Sequence, residues 1–129
     1  MIVVDTSVWI GARRDPTIAR TLDSLLDADE AAMALPVRLE LWAGVSRQDR
    51  RPLDAALSAL AQIVPDDETW PQMALAIERA ADAGERFAFV DMLIATLATG
   101  SGALVWSLDS DFERMEHLGL VARFDPPLT

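Results

Sequence analysis

The chain has 129 residues, 51% of them hydrophobic and only 6% aromatic, which is the size of one ordinary domain and a composition typical of helices packed on a sheet. It contains no cysteine, which excludes a disulfide framework, a thiolate zinc site and a cysteine nucleophile. All 11 basic residues are arginines. The absence of lysine excludes a phosphate-binding loop that uses a lysine, and it also excludes catalysis through a Schiff base.

The formal net charge of −10 argues against a protein that holds nucleic acid by bulk electrostatics. If RNA or DNA is the substrate, a local source of positive charge is required. No apolar stretch reaches the 18 or so residues of a membrane span, and no basic segment precedes an apolar one at the N-terminus. We therefore expect a soluble, cytoplasmic protein that does not associate with membranes.

Strand-like and helical segments alternate along the chain, which indicates an α/β protein with a parallel sheet covered by helices. Proline and glycine mark several of the helix ends. The first half is predicted to contain a strand at 2–4, a helix at 16–28, a strand at 31–35, a helix at 36–44, a polar link at 47–51, a helix after Pro52 and an edge strand at 63–65.

The second half continues the alternation and ends in a short tail. Its predicted segments are a helix at 69–83 with Trp70, Met73, Ala74 and Ile77 on its buried face, a helix at 89–99, a strand at 103–108, a short helix in which Ser110 and Glu113 fit a capping box, a last strand at 120–124 and a tail from about 125. No linker or internal repeat interrupts this order, so we expect a single domain over 1–129.

Four carboxylates occupy positions where a surface acid is not expected. Asp5 and Asp109 each follow a predicted buried strand. Glu40 and Asp91 lie on predicted helices, and none of their neighbours at i±3 and i±4 is charged, so no helical ion pair is available to them. Most of the other acids lie in predicted turns and are interpreted as solvated surface.

Several carboxylates that converge on one pocket make a site for a hard cation, whereas a single buried carboxylate would be neutralised. The carboxyl ends of parallel strands are where ligands bind in open α/β sheets, which places Asp5 and Asp109 at the expected edge. Helices that return across the sheet can bring Glu40 and Asp91 to the same edge. Ligands that are all oxygen favour Mg²⁺ or Mn²⁺ over zinc.

Each acid has a plainer interpretation when it is taken alone. Residues 5–7 fit a turn with hydroxyl caps before a helix that begins near Val8. Asp91 and Asp111 fit acids in the first turn of a helix, and His117 fits a partner of the helix dipole at a C-terminus rather than a catalyst. The joint occurrence of four unpaired acids at strand ends and on apolar faces favours the metal site.

Four segments in this order resemble the PIN-domain ribonucleases, specifically the VapC-type toxins of toxin–antitoxin modules. They are DTSVWI at 5–10, LELWAG at 39–44, VDMLIATLA at 90–98 and SLDSDF at 107–112. The resemblance spans almost the whole chain and implies a three-layer α/β/α sandwich with endoribonuclease activity that depends on Mg²⁺, for which Mn²⁺ can substitute. Two departures leave the carboxylates intact: Trp42 stands where a smaller aliphatic residue is common, and Ser107 replaces a frequent threonine.

The resemblance implies that the family's acidic quartet falls on Asp5, Glu40, Asp91 and Asp109. Our mechanistic hypothesis is that Asp5 and Asp91 bind the principal ion directly, and that Glu40 and Asp109 complete its shell or hold a second ion. Asp111 is a neighbouring acid whose direct role differs among members. Thr6 or Ser7 matches the hydroxyl that often lies beside the metal-bound water.

The resemblance further implies a homodimer, an RNA substrate and a small cognate antitoxin that wraps the toxin and blocks its site. Candidate contacts to RNA phosphates are Arg13, Arg14, Arg47, Arg50 and Arg51, for which solubilising surface arginines are the alternative interpretation. The rival function is a PIN-like module that binds RNA or protein with a site too weak to cut, and the four tryptophans could serve its interface. The presence of all four acids favours catalysis.

Overall fold

One sheet of four short parallel strands forms the centre of the computed structural model, which describes residues 1–127. The strands are β1 (Ile2–Val4), β2 (Ala31–Ala34), β3 (Ala61–Ile63) and β4 (Leu104–Trp106), and their order across the sheet is β3-β2-β1-β4. Every neighbouring pair is parallel, so each connection has to cross over a face of the sheet, which the helices do.

Seven helices lie in the described residues. They are α1 (Thr6–Gly11), α2 (Pro16–Asp27), α3 (Leu35–Ala43), α4 (Arg50–Ser58), α5 (Thr69–Asp82), α6 (Phe89–Gly100) and α7 (Asp111–His117). None of them is both long and apolar enough to cross a membrane.

Side chains of β1 alternate between two separate cores, as the period of two in a strand requires. Val3 packs into the larger core, which includes buried residues of α3, α5, α6 and α7. Ile2 and Val4 pack into the smaller core with Leu22 of α2 and Trp106 of β4. The sheet is therefore covered on both faces, which confirms the predicted three-layer α/β/α sandwich.

The strand order positions the site. The chain builds the sheet from β1 outward through β2 to β3, and then returns to the opposite side of β1 to add β4. The strand order thus reverses between β1 and β4. In open α/β sheets, ligands bind in the crevice at such a switch point, beyond the carboxyl ends of the strands. Asp5 and Ser107 are the residues that follow these two strands.

Two predicted boundaries and one predicted buried face differ from the structure in the middle of the chain. The link at 47–51 is shorter than predicted because α4 already begins at Arg50. The edge strand lies two residues earlier, at Ala61–Ile63, where it pairs with β2. On α5 the buried residues are Thr69, Met73 and Ala80, whereas Trp70 and Ile77 are 49% and 47% exposed, so the predicted buried face was wrong by about one residue of rotation.

Two predictions near the C-terminus are also wrong. Ser110 does not form a capping box, because its backbone is already helical (φ −63°, ψ −17°) and its side chain makes no capping bond. The predicted strand at 120–124 pairs with β4 at a single bridge, between Val105 and Arg123. The next rung of a parallel ladder would require an N–H from residue 126, which is a proline.

Candidate metal centre

Asp5 is a buried carboxylate that is held by two serine hydroxyls. It is 7% exposed, and its N–H donates to the carbonyl oxygen of Trp106 at 2.9 Å, which fixes it at the end of the β1–β4 pair. Ser7 Oγ donates to Asp5 Oδ2 at 2.8 Å, and Ser107 Oγ donates to the same oxygen at 2.7 Å. The carboxylate is thus stabilised by hydroxyl donors and not by a basic residue.

Asp109 lies on the turn between β4 and α7, and Asp111 begins α7. The Asp109 N–H donates to Ser107 Oγ at 3.0 Å, and Asp109 Oδ1 accepts the N–H of Asp111 at 2.9 Å. Asp111 is the first residue of α7, where an acid interacts favourably with the helix dipole. The turn and the start of α7 therefore present two carboxylates beside the one at the end of β1.

Asp91 is the third residue of α6, in the first turn of a helix that is buried from Met92 to Ala98. One carboxylate oxygen each from Asp91, Asp109 and Asp111 lie within 4.8 Å of one another. That spacing is short enough for three oxygens to contact one cation. Asp5 and Glu40 lie outside this tightest group, although both act on Asp91 electrostatically.

The crowding of acids changes the protonation of Asp91. Burial, and then the nearby charges of Asp5, Asp109, Asp111 and Glu40, raise the pKa of Asp91 from 3.8 to about 6. A position in the first turn of a helix acts in the opposite direction, because the helix dipole favours the ionised carboxylate. The net rise indicates that the negative charge in this pocket is not balanced by the protein itself.

Glu40 reaches the site from α3 and is exposed. Its Oε1 accepts a hydrogen bond of 2.9 Å from the hydroxyl of Thr6, the first residue of α1. Thr6 and Ser7 thus each contact a different carboxylate, and α1 begins at Thr6 rather than near Val8. The plainer interpretation of residues 5–7 was therefore wrong, because the two hydroxyls donate to carboxylates and no side chain caps α1.

The five predicted arginines are exposed, and none of them forms an ion pair with a carboxylate of residues 1–127. Arg13 and Arg14 follow α1, and Arg47 lies before α4. Arg50 and Arg51, at the start of α4, line a cleft of about 370 Å³ together with Trp42. Among residues 1–127, neither of these two guanidinium groups lies within 4.0 Å of a carboxylate.

Arg114 is a charged neighbour of the site that the sequence reasoning missed. Its guanidinium contacts Asp111 Oδ1 at 2.9 Å and Glu85 Oε2 at 3.5 Å, and it lies 5.2 Å from the centre of the Phe87 ring. The signal in the sequence was the i,i+3 spacing of Asp111 and Arg114 on the predicted short helix. His117, at the exposed C-terminal end of α7, contacts none of the site acids.

The donor set fits a hard divalent cation. The site offers carboxylate and hydroxyl oxygens, and no cysteine occurs in the chain. Mg²⁺, Mn²⁺ and Ca²⁺ prefer such ligands, whereas structural zinc prefers thiolate and imidazole. The unbalanced charge around Asp91 is the second reason why a cation would bind here.

Comparison with known proteins assigns the chain to a family. Residues 2–118 match the family model described as the PIN domain. The chain therefore belongs to the PIN-domain family.

Two curated relatives narrow the placement. The chain is 34% identical to Ribonuclease VapC18 of Mycobacterium tuberculosis over 117 residues, and this match covers 87% of this chain and 85% of the relative. It is 33% identical over 120 residues to Ribonuclease VapC11 of the same organism, covering 88% of this chain and 90% of the relative. Within the family the chain thus groups with the VapC proteins, as its four sequence segments indicated.

Solved structures show the same fold at lower identity. A chain in the crystal structure of VapBC2 from Rickettsia felis, bound to a DNA fragment from their promoter, superposes with a TM-score of 0.78 at 22% identity, covering 96% of this chain and 98% of that one. A chain of VapBC-1 from nontypeable Haemophilus influenzae gives a TM-score of 0.75 at 19% identity, covering 97% and 98%. These similarities extend over the whole sandwich.

Proposed function

We propose that this chain is an endoribonuclease that depends on a divalent cation, Mg²⁺ or Mn²⁺, and that acts as the toxin of a toxin–antitoxin pair. The observation that supports the chemistry is the cluster of Asp91, Asp109 and Asp111, whose oxygens lie within 4.8 Å beside the buried Asp5. The names of the VapC relatives support RNA as the substrate. The membership in the PIN family supports dependence on a metal.

In this proposal Asp5 and Asp91 contact the principal ion, and Glu40 and Asp109 complete the site or hold a second ion. Asp111 is a further possible ligand through its second oxygen, since Oδ1 is paired with Arg114. A bound divalent cation would stabilise the charge that develops on the scissile phosphate and lower the pKa of water. It would also supply the local positive charge that a chain of net charge −10 lacks.

The protein's own contribution is to hold the oxygens in place before substrate binds. The Thr6 hydroxyl holds Glu40, and the first turn of α6 holds Asp91. We propose that Thr6 and Ser7, besides these contacts, lie beside the water that attacks the phosphate. Hydrolysis then forms a P–O bond to the oxygen of water, which gives up a proton, and breaks the P–O bond to the sugar oxygen, which leaves as a hydroxyl after it takes up a proton.

We propose that the surface arginines contact RNA phosphates outside the cation site. Arg50 and Arg51 have the strongest support, because they line a cleft with the exposed ring of Trp42, although Asp54, which is paired with Arg38, lines the same cleft. Stacking on an aromatic ring and contact with a guanidinium are the usual means of holding a single strand. Arg13, Arg14 and Arg47 are weaker candidates, supported by exposure alone.

We further propose a homodimer and a cognate antitoxin as partners. Trp70, Leu75, Ile77 and Phe89 are 47–63% exposed on α5 and α6, and Ile77 and Phe89 line one cleft. Exposed apolar side chains that share a patch are typical of interfaces. Solved neighbours include a protein described as a member of the VapBC family of toxin-antitoxin systems, from Mycobacterium tuberculosis. We also propose that residues 1–129 act as one domain, since a single sheet contacts both cores.

The test is cleavage of RNA by the purified chain. Cleavage is expected with Mg²⁺ or Mn²⁺, and is expected to stop on chelation and return when the ion is restored. Asp5→Asn keeps an oxygen that can accept the two serine hydroxyls, so the variant is expected to fold while its activity falls at least ~100-fold. Asp49→Asn, an exposed acid before α4, is the matched control and is expected to cut like the wild type.

The same assay separates catalysis from the rival function. A chain that binds RNA or an antitoxin but cuts nothing with either ion would be a binding module. Full activity of Asp5→Asn would also refute the proposal, because cleavage would then not use this site.

A further inference from the structure

We infer that Ser107 is a positioning residue of the cation site, which together with Ser7 fixes the orientation of Asp5 and links Asp5 to Asp109. Ser107 is not proposed to touch the cation or the substrate. The inference rests on the proposed function, because it concerns the same site.

The two hydroxyls converge on one oxygen of one carboxylate. Ser7 Oγ and Ser107 Oγ lie 2.8 and 2.7 Å from Asp5 Oδ2, and 3.2 Å from each other. A serine hydroxyl has a single proton. When both protons are donated to Asp5, neither is left for the contact between the two serines.

Backbone groups fix the direction of those protons. The N–H of Leu108 donates to Ser7 Oγ at 3.0 Å, and the N–H of Asp109 donates to Ser107 Oγ at 3.0 Å. Each serine oxygen thus accepts one hydrogen bond from the turn after β4 and donates one to Asp5. This network makes the orientation of the carboxylate a consequence of the backbone at 108 and 109.

The arrangement assigns different tasks to the two oxygens of Asp5. Oδ2 is occupied by the serines, whereas Oδ1 accepts no hydrogen bond from residues 1–127. No fully buried side-chain oxygen among the described residues lacks a hydrogen-bond partner, so Oδ1 keeps some solvent exposure and is the oxygen that a cation can reach. Outer hydrogen bonds of this kind orient metal ligands, and their loss typically costs 10–100-fold in metal affinity.

Ser107 has a role that Ser7 does not share. Its hydroxyl contacts both Asp5, on one strand end, and the N–H of Asp109, on the neighbouring strand end. It therefore sets the position of two proposed ligands relative to each other. Threonine has the same hydroxyl, so it is the substitution that should preserve this contact.

The experiment is a calorimetric titration of the full chain with Mn²⁺, without RNA. Ser107→Ala is expected to bind Mn²⁺ roughly 10–100-fold more weakly than the wild type, and Ser107→Thr is expected to restore most of the affinity. Ser110→Ala is the matched control, because Ser110 lies between Asp109 and Asp111 and its side chain makes no capping bond. Its affinity for Mn²⁺ is expected to be unchanged.

Thermal unfolding in EDTA of every variant checks that the variant is folded. If Ser107→Ala does not fold, Ser7→Ala, which removes the other donor to Oδ2, tests the orientation of Asp5 in its place and is expected to bind Mn²⁺ more weakly than the wild type. An Ala variant that is folded and binds Mn²⁺ like the wild type would overturn the inference alone. A wild-type chain that binds no Mn²⁺ would overturn the proposed cation site, and this inference with it.

Discussion

Asp91 is the residue at which the electrostatics of the site are most visible. A carboxylate in the first turn of a helix would ordinarily be more acidic than usual, yet burial and four nearby acids raise its pKa to about 6. The helix alone therefore does not explain why an acid stands there. In the metal-free protein this carboxylate costs stability, and a cation would relieve that cost.

This predicts an unusual effect of Asp91→Asn in EDTA. Because the native pKa lies above the ordinary 3.8, the native state retains a proton that the unfolded state has lost, and the associated stability disappears as pH rises through about 6. The amide removes this dependence. At about pH 7 the variant is therefore expected to be as stable as the wild type or more stable, and near pH 4 the advantage should vanish.

Urea denaturation at the two pH values measures this difference. Asp23→Asn is the control, because Asp23 is an exposed acid of α2 that is not among the charges acting on Asp91, and its stability is expected to match the wild type at both pH values. Marked destabilisation of Asp91→Asn without metal would show that Asp91 has a structural role instead.

At the scale of elements, the helices and the central strands were predictable, and the exceptions have local causes. Apolar periodicity identified α2, α3, α5 and α6 to within one or two residues. It could not identify the buried face of α5, where Met73 is buried but Trp70 and Ile77 are exposed, because alanines at 76 and 80 pack as well as larger residues do. Nor could it show that α1 begins at Thr6, since two hydroxyls in succession fit several cap positions.

Arg50 and Arg51 in the first turn of α4 are expected to contribute to the binding of RNA. If Arg50 and Arg51 contact phosphates, Arg50→Ala with Arg51→Ala should raise KM for RNA with little change in kcat. The dependence of binding on salt should also weaken, by about 1.4 in the slope of log K against log salt for two contacts on a single strand.

Fluorescence anisotropy with a short RNA in EDTA measures the binding part over a range of salt concentrations. Arg20→Ala, which removes an exposed arginine of α2, is the control and should leave the slope unchanged. An unchanged slope in the double variant would show that these arginines serve only solubility.

For the whole molecule, the sequence predicted a set of acids that form one site but not how closely they approach one another. The strand ends at Asp5 and Asp109 and the quoted segments were sufficient to predict a carboxylate site at one edge of a parallel sheet. The strand order β3-β2-β1-β4 came only from the structure, because hydrogen-bond pairing between distant strands leaves no local pattern in the chain. The hydrogen bonds of Ser7 and Ser107 to Asp5 depend on that strand order. The sequence therefore indicated no contact for Ser107, which differed from the family only in replacing a frequent threonine.

A stability prediction follows for the whole fold. Any cation that binds the native state alone should raise the free energy of unfolding by about 2.7 kcal/mol at 100 times its Kd. Mg²⁺ and Mn²⁺ are both expected to raise the melting temperature, and Ca²⁺ is expected to bind without supporting cleavage. The gain should be lost in Asp91→Asn.

Because the chain is strongly acidic, ions also screen its charge non-specifically. Sodium chloride at matched ionic strength is therefore the control for the melting experiment. An equal rise with sodium chloride, or in the Asp91→Asn variant, would contradict specific binding.

The proposed cation site is tested most directly by anomalous scattering from a crystal of the protein soaked in Mn²⁺. A manganese peak is expected in contact with carboxylate oxygens of Asp5 and Asp91, with Asp109 beside it, and no such peak is expected in a crystal of Asp5→Asn. A well-ordered crystal with no peak among these acids, or with the same peak in the variant, would contradict the proposed site.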